Sequence, residues 1–320
     1  MAASALSILF SFTVGYYDLP ASRIFELFGQ IGTAQPTSDY IVLMRVRLPR
    51  ILSAFLIGAA LSVSGASYQG MFKNPLVSPD ILGVASGAGF GASLAIFLGM
   101  SSVMVQTMAF IAGLGAAFLS FLISSRVKYG QTVSLILAGT MIGALCMAAT
   151  TMLKYLADTS DTLPAITFWL MGSLVKVDMK SLLFSLVPMA VGFVLLFLMR
   201  WRLNVLTLGD EEAQSLGVNP RRTRFMAIVG ATLLSSAAVC LGGLIGWVGL
   251  MIPHITRGLV GPQYKKTFPV CILLGGCFLL LVDDLSRGVS ALEIPIGVLT
   301  AFVGAPFFIW LILRRKGEQV

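Results

Sequence analysis

Charge is scarce in this chain: Asp, Glu, Lys and Arg make up 11% of its 320 residues, under half of the ~25% usual in soluble domains. That excludes a water-soluble enzyme. No GxxxxGK[ST] loop and no Gly-Lys dipeptide occur, nor does HExxH or GxSxG. The chain therefore has no means of hydrolysing ATP, and uphill transport would draw on an ion gradient or on another polypeptide. The single histidine, His254, lies in Pro-His-Ile-Thr-Arg and reads as locally hydrogen-bonded rather than catalytic. Cys146, Cys240, Cys271 and Cys277 sit in apolar runs without CxxC or Cys/His ligand spacing and read as packing residues. No cofactor or metal is expected.

Apolar residues fill the space left by charge. They form 57% of the chain, 33 glycines accompany them, and mean hydropathy is +0.91. At ~20 residues per crossing this suffices for roughly ten spans, so the expectation is an all-α, polytopic membrane protein forming a single domain over 1–320. Hydropathy and breaker residues place the spans at 2–17, 51–72, 82–100, 104–125, 133–156, 181–200, 226–246, 248–261, 269–286 and 294–313. The first is short and has no basic residue before it, so a span with a clipped or misassigned start is preferred to a cleaved signal peptide. The segment 18–46, with Pro20, Gly29, Gly32 and Pro36, reads as external and packed on the membrane surface.

The net charge of +8 forms no continuous basic face, which argues against nucleic acid. It follows topology instead. Arg126 with Lys128, the stretch Arg200 to Arg224, Lys265 with Lys266, and Arg314 to Lys316 fall on one side, edged by Lys73 and Arg257. The positive-inside bias makes that side, with both termini, cytoplasmic. The other side is nearly neutral, its basic residues set against acids that include Asp18, Asp178 and Glu293. Gly83, Gly87 and Gly91, and likewise Gly242, Gly246 and Gly249, recur at spacings that let helices approach closely. No strand or polar loop surrounds Gly87, Gly89 and Gly91, so they do not read as a nucleotide loop.

Three constellations carry possible function. Asp283 and Asp284 stand four and three residues before Arg287 on one helix, a spacing at which charges neutralise each other. A structural ion-pair cluster, a gate or docking role, and proton coupling all remain open for it. Between Leu206 and Arg224, Asp210 suits a helix N-cap and Glu211 and Glu212 its positive end, while Gly217 suits a left-handed stop and Pro220 forbids continuation. The resulting two-turn helix is either an ordinary capped loop or a docking knob for a cytoplasmic partner. Arg45, Arg47 and Arg50 precede the second span at the outer edge, where they would bind a partner's carboxylates or snorkel to lipid headgroups.

Ordered blocks give a more specific reading. Arg47-Leu-Pro-Arg50, Gly58-Ala-Ala-Leu-Ser-Val-Ser-Gly-Ala, Asn74-Pro-Leu-Val-Ser-Pro-Asp-Ile-Leu-Gly83, Trp169-Leu-Met-Gly-Ser173, Leu216-Gly217, Gly249-Leu-Met-Ile-Pro-His254, Glu293-Ile-Pro-Ile-Gly297 and Gly304-Ala-Pro306 resemble those of the FecCD family of ABC-importer permeases from about Val46 onward. The family imports ferric siderophores, haem, cobalamin and, in some members, molybdate or tungstate. The resemblance implies the type II ABC importer permease fold, with an inverted repeat of the second to fifth and seventh to tenth helices. It implies a homodimer, two cytoplasmic ATPase subunits and a periplasmic or lipoprotein substrate-binding protein. It further implies that 201–225 is the ATPase-docking loop, with Glu211, Glu212, Ala213, Gly217 and Arg221 in it, and that Arg47, Arg50 and Arg287 meet the binding protein.

The expected mechanism is alternating access driven by partner ATPases, through a cavity lined by the second, fifth and eighth spans. The preferred cargo is a ferric siderophore, on the base rate of the family. The competing classes are an ion-coupled secondary transporter, which would depend on Asp283 or Asp284, and an intramembrane enzyme, for which no nucleophile and base lie at matching depth.

Overall fold

The computed structural model describes residues 2–15, 17, 19–29, 37–127, 131–289 and 293–317; Met1, Asp18, Gly32, Pro36 and Lys128, named above, lie outside them. The described residues are helical, with no strand among them. In chain order the helices are α1 (Ala2–Ser11), α2 (Ala21–Gly29), α3 (Ser38–Ile41), α4 (Leu48–Met71), α5 (Val84–Phe97), α6 (Ser102–Ser125), α7 (Gln131–Leu156), α8 (Thr162–Leu170), α9 (Met179–Leu208), α10 (Asp210–Ser215), α11 (Pro220–Gly242), α12 (Val248–Val260), α13 (Tyr264–Gly288) and α14 (Ile296–Gly317). A π-helical turn, Val42–Arg47, joins α3 to α4 without a break.

Each span expected from hydropathy meets one of these helices. Six helical stretches among the described residues are long and apolar enough to cross a bilayer: Ser38–Met71, Ser102–Ser125, Val133–Leu156, Met179–Leu208, Pro220–Gly242 and Tyr264–Gly288. Others are shorter than expected. The 14 residues of α5 rise about 21 Å against a ~30 Å hydrocarbon core, so this helix reaches the full thickness only with its flanking turns. The expected spans 226–246 and 248–261 also differ from the structure. The helix of the first stops at Gly242, and residues 243–247 run non-helically before α12 begins.

Helix α4 is the axis of the bundle. It packs against α9, α11, α12 and α13, and small residues set those approaches. A methyl group built on Gly58 would lie 2.1 Å from the Gly275 carbonyl oxygen of α13, and one on Gly65 only 1.8 Å from that of Gly249 on α12. Polar side chains are satisfied along the same seam: the Ser64 hydroxyl donates to the Ala231 carbonyl at 2.9 Å, and the Tyr68 and Thr232 hydroxyls are 2.8 Å apart. Because α4 is buried so thoroughly within its own chain, it offers little face to a cavity, contrary to the expectation for the second span. By contrast, α7 exposes Met141, Leu145 and Met152.

The packing is exchanged between two four-helix sets. Helix α4, heading the set α4–α7, packs on α12 and α13, while α11, heading the set α11–α14, packs on α5 and α6. Two sets related by a pseudo-two-fold axis produce this reciprocity. Within the first set, Gly87 and Gly91 face Ala112 and Ala116 of α6 closely, as their spacing suggests; Gly246, in the second run of glycines, has open space beside it.

The packing distances make one prediction. Gly65→Ala should lower stability by about 1–3 kcal/mol, whereas Gly115→Ala, where an added methyl meets nothing within 4 Å, should change it by under ~0.5 kcal/mol. Unfolding of both variants in one detergent measures the difference, and equal stabilities would refute close backbone contact at Gly65.

Candidate functional site

Helix α10 stands at the end of the bundle where α9 finishes and α11 begins. So short a helix is marginal alone in water, and three local arrangements hold it. Val218 N–H donates to the Ala213 carbonyl at 2.8 Å and Gly217 N–H to that of Gln214 at 2.9 Å, the double closure of a Schellman stop. This needs the left-handed backbone that Gly217 adopts at φ +75°, a conformation strained for most other residues. Val205, Ala213 and Val218 form a small apolar cluster beneath the turn. Finally, Arg224 of α11 grips the Asp210 carboxylate with both terminal nitrogens, at 2.6 and 2.8 Å.

That grip corrects the expected cap. Asp210 is the first helical residue, Gly209 precedes it in the cap position, and no side chain caps this end; the carboxylate is drawn to Arg224 instead. Pro220 likewise does more than stop α10, since it opens α11, whose N-cap Asn219 accepts a hydrogen bond from Arg222 N–H at 3.0 Å. Of the residues expected in the loop, Glu211, Glu212, Gly217 and Arg221 lie on the surface and Ala213 is buried as an anchor. Leu216, of the Leu216-Gly217 block, is 53% exposed and adds an apolar surface beside Gly217. The result is a small, rigid, acidic projection with one exposed leucine at its tip.

At the opposite end lies a buried charge network. Arg50 of α4, with a side chain 7% exposed, bonds Asp283 of α13 at 2.8 Å and Glu293 at 2.7 Å. It engages both oxygens of each carboxylate. Arg287 pairs with Asp284 and the Ser11 hydroxyl, donates to the Ser11 carbonyl at 2.7 Å, and stands 3.5 Å from Asp283. Arg47 donates to the carbonyls of Phe12 and Tyr17. Three guanidinium groups thus share a buried site with three carboxylates, tying α1, α4 and α13 to the residues that lead into α14.

Arg47, Arg50 and Arg287, expected to meet a docking protein, are all buried and engaged within the chain. The physical reason is periodicity. Leu43, Arg47, Arg50, Ala54, Ile57 and Leu61 share one helical face and all are buried, so the arginines enter the bundle with their apolar neighbours. Arg45, off that face, is the exposed arginine of the group. The same periodicity is visible in the sequence and was the signal available for burial. Asp283, Asp284 and Arg287 do lie together, with Glu293 and Arg50 as further partners.

Comparison with known proteins follows from this geometry. A family model described as the FecCD transport family matches residues 3–314. The molybdate import system permease protein MolB of Haemophilus influenzae is 41% identical over 97% of this chain and 93% of its own length. The hemin transport system permease protein HmuU of Yersinia pestis is 38% identical over 90% of this chain and 88% of its own. A solved structure presented as an inward-facing conformation of a metal-chelate type ABC transporter superposes with a TM-score of 0.88 at 39% identity, covering 98% of this chain and 97% of that one.

Two measurements test the site. Arg50→Met should destabilise the protein by roughly 3–5 kcal/mol, because it strands buried carboxylates, and adding Asp283→Leu should restore part of the loss; an Arg50→Met protein as stable as the parent would contradict the pairing. At the other end, the hydrogen bonds and charge of Arg224, with Lys73 assisting, hold the Asp210 carboxyl below its ordinary value. A lowered pKa contributes stability above the unfolded value of ~3.9 and loses it as pH falls through the native value. Amide exchange in α10 should therefore stay protected from neutral pH down to about pH 4 and lose protection below it. Asp210→Asn should be less protected at neutral pH and lack the acid step; an identical acid profile would exclude the Arg224 grip as the cause.

Proposed function

The chain belongs to the FecCD transport family, and we propose that it is the membrane subunit of an ATP-binding cassette importer, working as a homodimer with two cytoplasmic ATPase subunits and an external substrate-binding protein. The observation that carries this reading is α10, a preformed projection on a chain that has no nucleotide site of its own. The basic loops favour a cytoplasmic location for α10 and for both termini. In that position Glu211, Glu212, Leu216 and Gly217 meet the ATPase, Arg221 stands behind them at the wall of a neighbouring cavity, and Ala213 holds the helix in place.

ATP-driven closure of the ATPases pulls the two projections. Tightly packed helices transmit the pull as rigid bodies, and the dimer halves tilt to open the pathway to one side at a time. No side chain of the permease performs covalent chemistry. The binding protein meets exposed far-end groups such as Arg45, since the buried arginines are engaged elsewhere.

The cargo is a metal chelate, with the ferric siderophore as the first reading. The 41% identity to a molybdate permease favours an oxyanion as the second. Uptake of radiolabelled ferric siderophore and of molybdate by cells with and without the gene separates them.

Gly217 tests the coupling. In the complete complex, Gly217→Val should reduce binding-protein-stimulated ATP hydrolysis and uptake at least tenfold while membrane insertion persists. Gly217→Asn should retain most activity, because asparagine tolerates the left-handed conformation. Full activity of Gly217→Val would exclude α10 as the docking element.

A further inference from the structure

Between the ends of α4, α6, α7 and α11 lies a cavity whose lining includes Met71, Phe72, Phe121, Ile228, two serines of α6 and the two arginines Arg221 and Arg224. The space there is about 490 Å³, much of it continuous with the surroundings. Its two parts have opposite chemistry. Most of the lining is aromatic and aliphatic, with Phe121 tilted at 51° against Phe225, ring centres 5.2 Å apart. The rim is basic.

That positive charge is only partly answered. Asp210 takes up the terminal nitrogens of Arg224, yet Arg224 Nε is buried with no hydrogen-bond acceptor. Arg221 is exposed, and no ion pair of its side chain occurs among the described residues. Lys73 follows the lining residue Phe72 and is near enough to act on the Asp210 carboxyl, and exposed Arg126 follows Ser125, also at the cavity wall. Asp210 is the carboxylate that bonds a lining arginine, while Glu211 and Glu212, next to it in α10, are exposed.

We propose that this cavity binds an anionic phospholipid of the cytoplasmic leaflet, its phosphate held by Arg221 with Arg224 and an acyl chain lying over Phe121 and Ile228. The leaflet assignment rests on the orientation proposed above. Basic pockets at the cytoplasmic ends of membrane helices suit acidic headgroups, and guanidinium groups match phosphate oxygens in pairs. A free phosphate would use the rim and leave the apolar floor uncovered, whereas a phospholipid covers both. Since Arg224 also holds Asp210, lipid at this site bears on the residue that fixes α10.

The test uses the full chain, purified in mild detergent without ATPase, binding protein or substrate, so its outcome is independent of the transport reading. Native mass spectrometry records retained phosphatidylglycerol and phosphatidylcholine of identical acyl composition for the parent, Arg221→Glu and Arg222→Glu, the last altering an exposed neighbour outside the lining. The parent should retain phosphatidylglycerol at least tenfold better than phosphatidylcholine. Arg221→Glu should lose that preference and Arg222→Glu should keep it. Equal retention of the two lipids by the parent would overturn the proposal. So would equal losses in the two variants, which would mean diffuse surface charge, and so would complete displacement of lipid by millimolar inorganic phosphate, which would mean a headgroup-only site.

Discussion

A guanidinium buried among membrane-crossing helices must be answered by carboxylate, and Arg50 is where this chain meets that requirement. Removing an ion from water costs several kcal/mol even after the protein relaxes. Arg50 offsets this with bonds to both oxygens of Asp283 and of Glu293. Arg287 bonds one oxygen of Asp284, with Ser11 as a further partner. The energetic return is conditional, because the network stabilises only while every partner stays in place. It therefore fixes the far ends of α1, α4 and α13 and the approach to α14 relative to one another.

The same pairing bears on the energy source. Ion-coupled carriers depend on an ionisable group inside the membrane that is free to gain and lose its ion. Among the described residues in the membrane-crossing stretches, Asp283 and Asp284 are held by arginines, and Asp39, near the start of Ser38–Met71, is bonded by Arg23 and Tyr17. On the proposed reading, force enters from another polypeptide. Helix α10 is suited to receive it, being short, stopped at Gly217 and braced through Asp210 on Arg224. Helix α11 packs on α4, the contacts of α4 with α12 and α13 leave no room for a methyl group at Gly65 and Gly58, and close-packed interiors transmit displacement rather than absorb it.

Much of this was readable in the residues. The expected spans 104–125 and 133–156 coincide with α6 and α7 almost to the residue, because long apolar runs bounded by polar turns leave little choice in a bilayer. The stop at Gly217 was legible for a similar reason, since few residues adopt its backbone conformation. The burial of Arg47 and Arg50 was harder to read, because their position at a membrane edge suggested exposure while their shared face with Leu43, Ala54 and Ile57 decided burial. Asp210 was misread because local capping rules cannot foresee Arg224, fourteen residues away. The short helices α2 and α8 and the early end of α11 depend on tertiary packing and leave little trace in hydropathy.

The central claim is that this subunit moves solute only when driven from outside. Its most direct test is uptake by liposomes containing the purified chain alone, under imposed proton and sodium gradients, compared with liposomes that also hold the ATPase, the binding protein and ATP. The account predicts accumulation only in the complete system. Gradient-driven accumulation by the chain alone, abolished by Asp283→Asn, would contradict it.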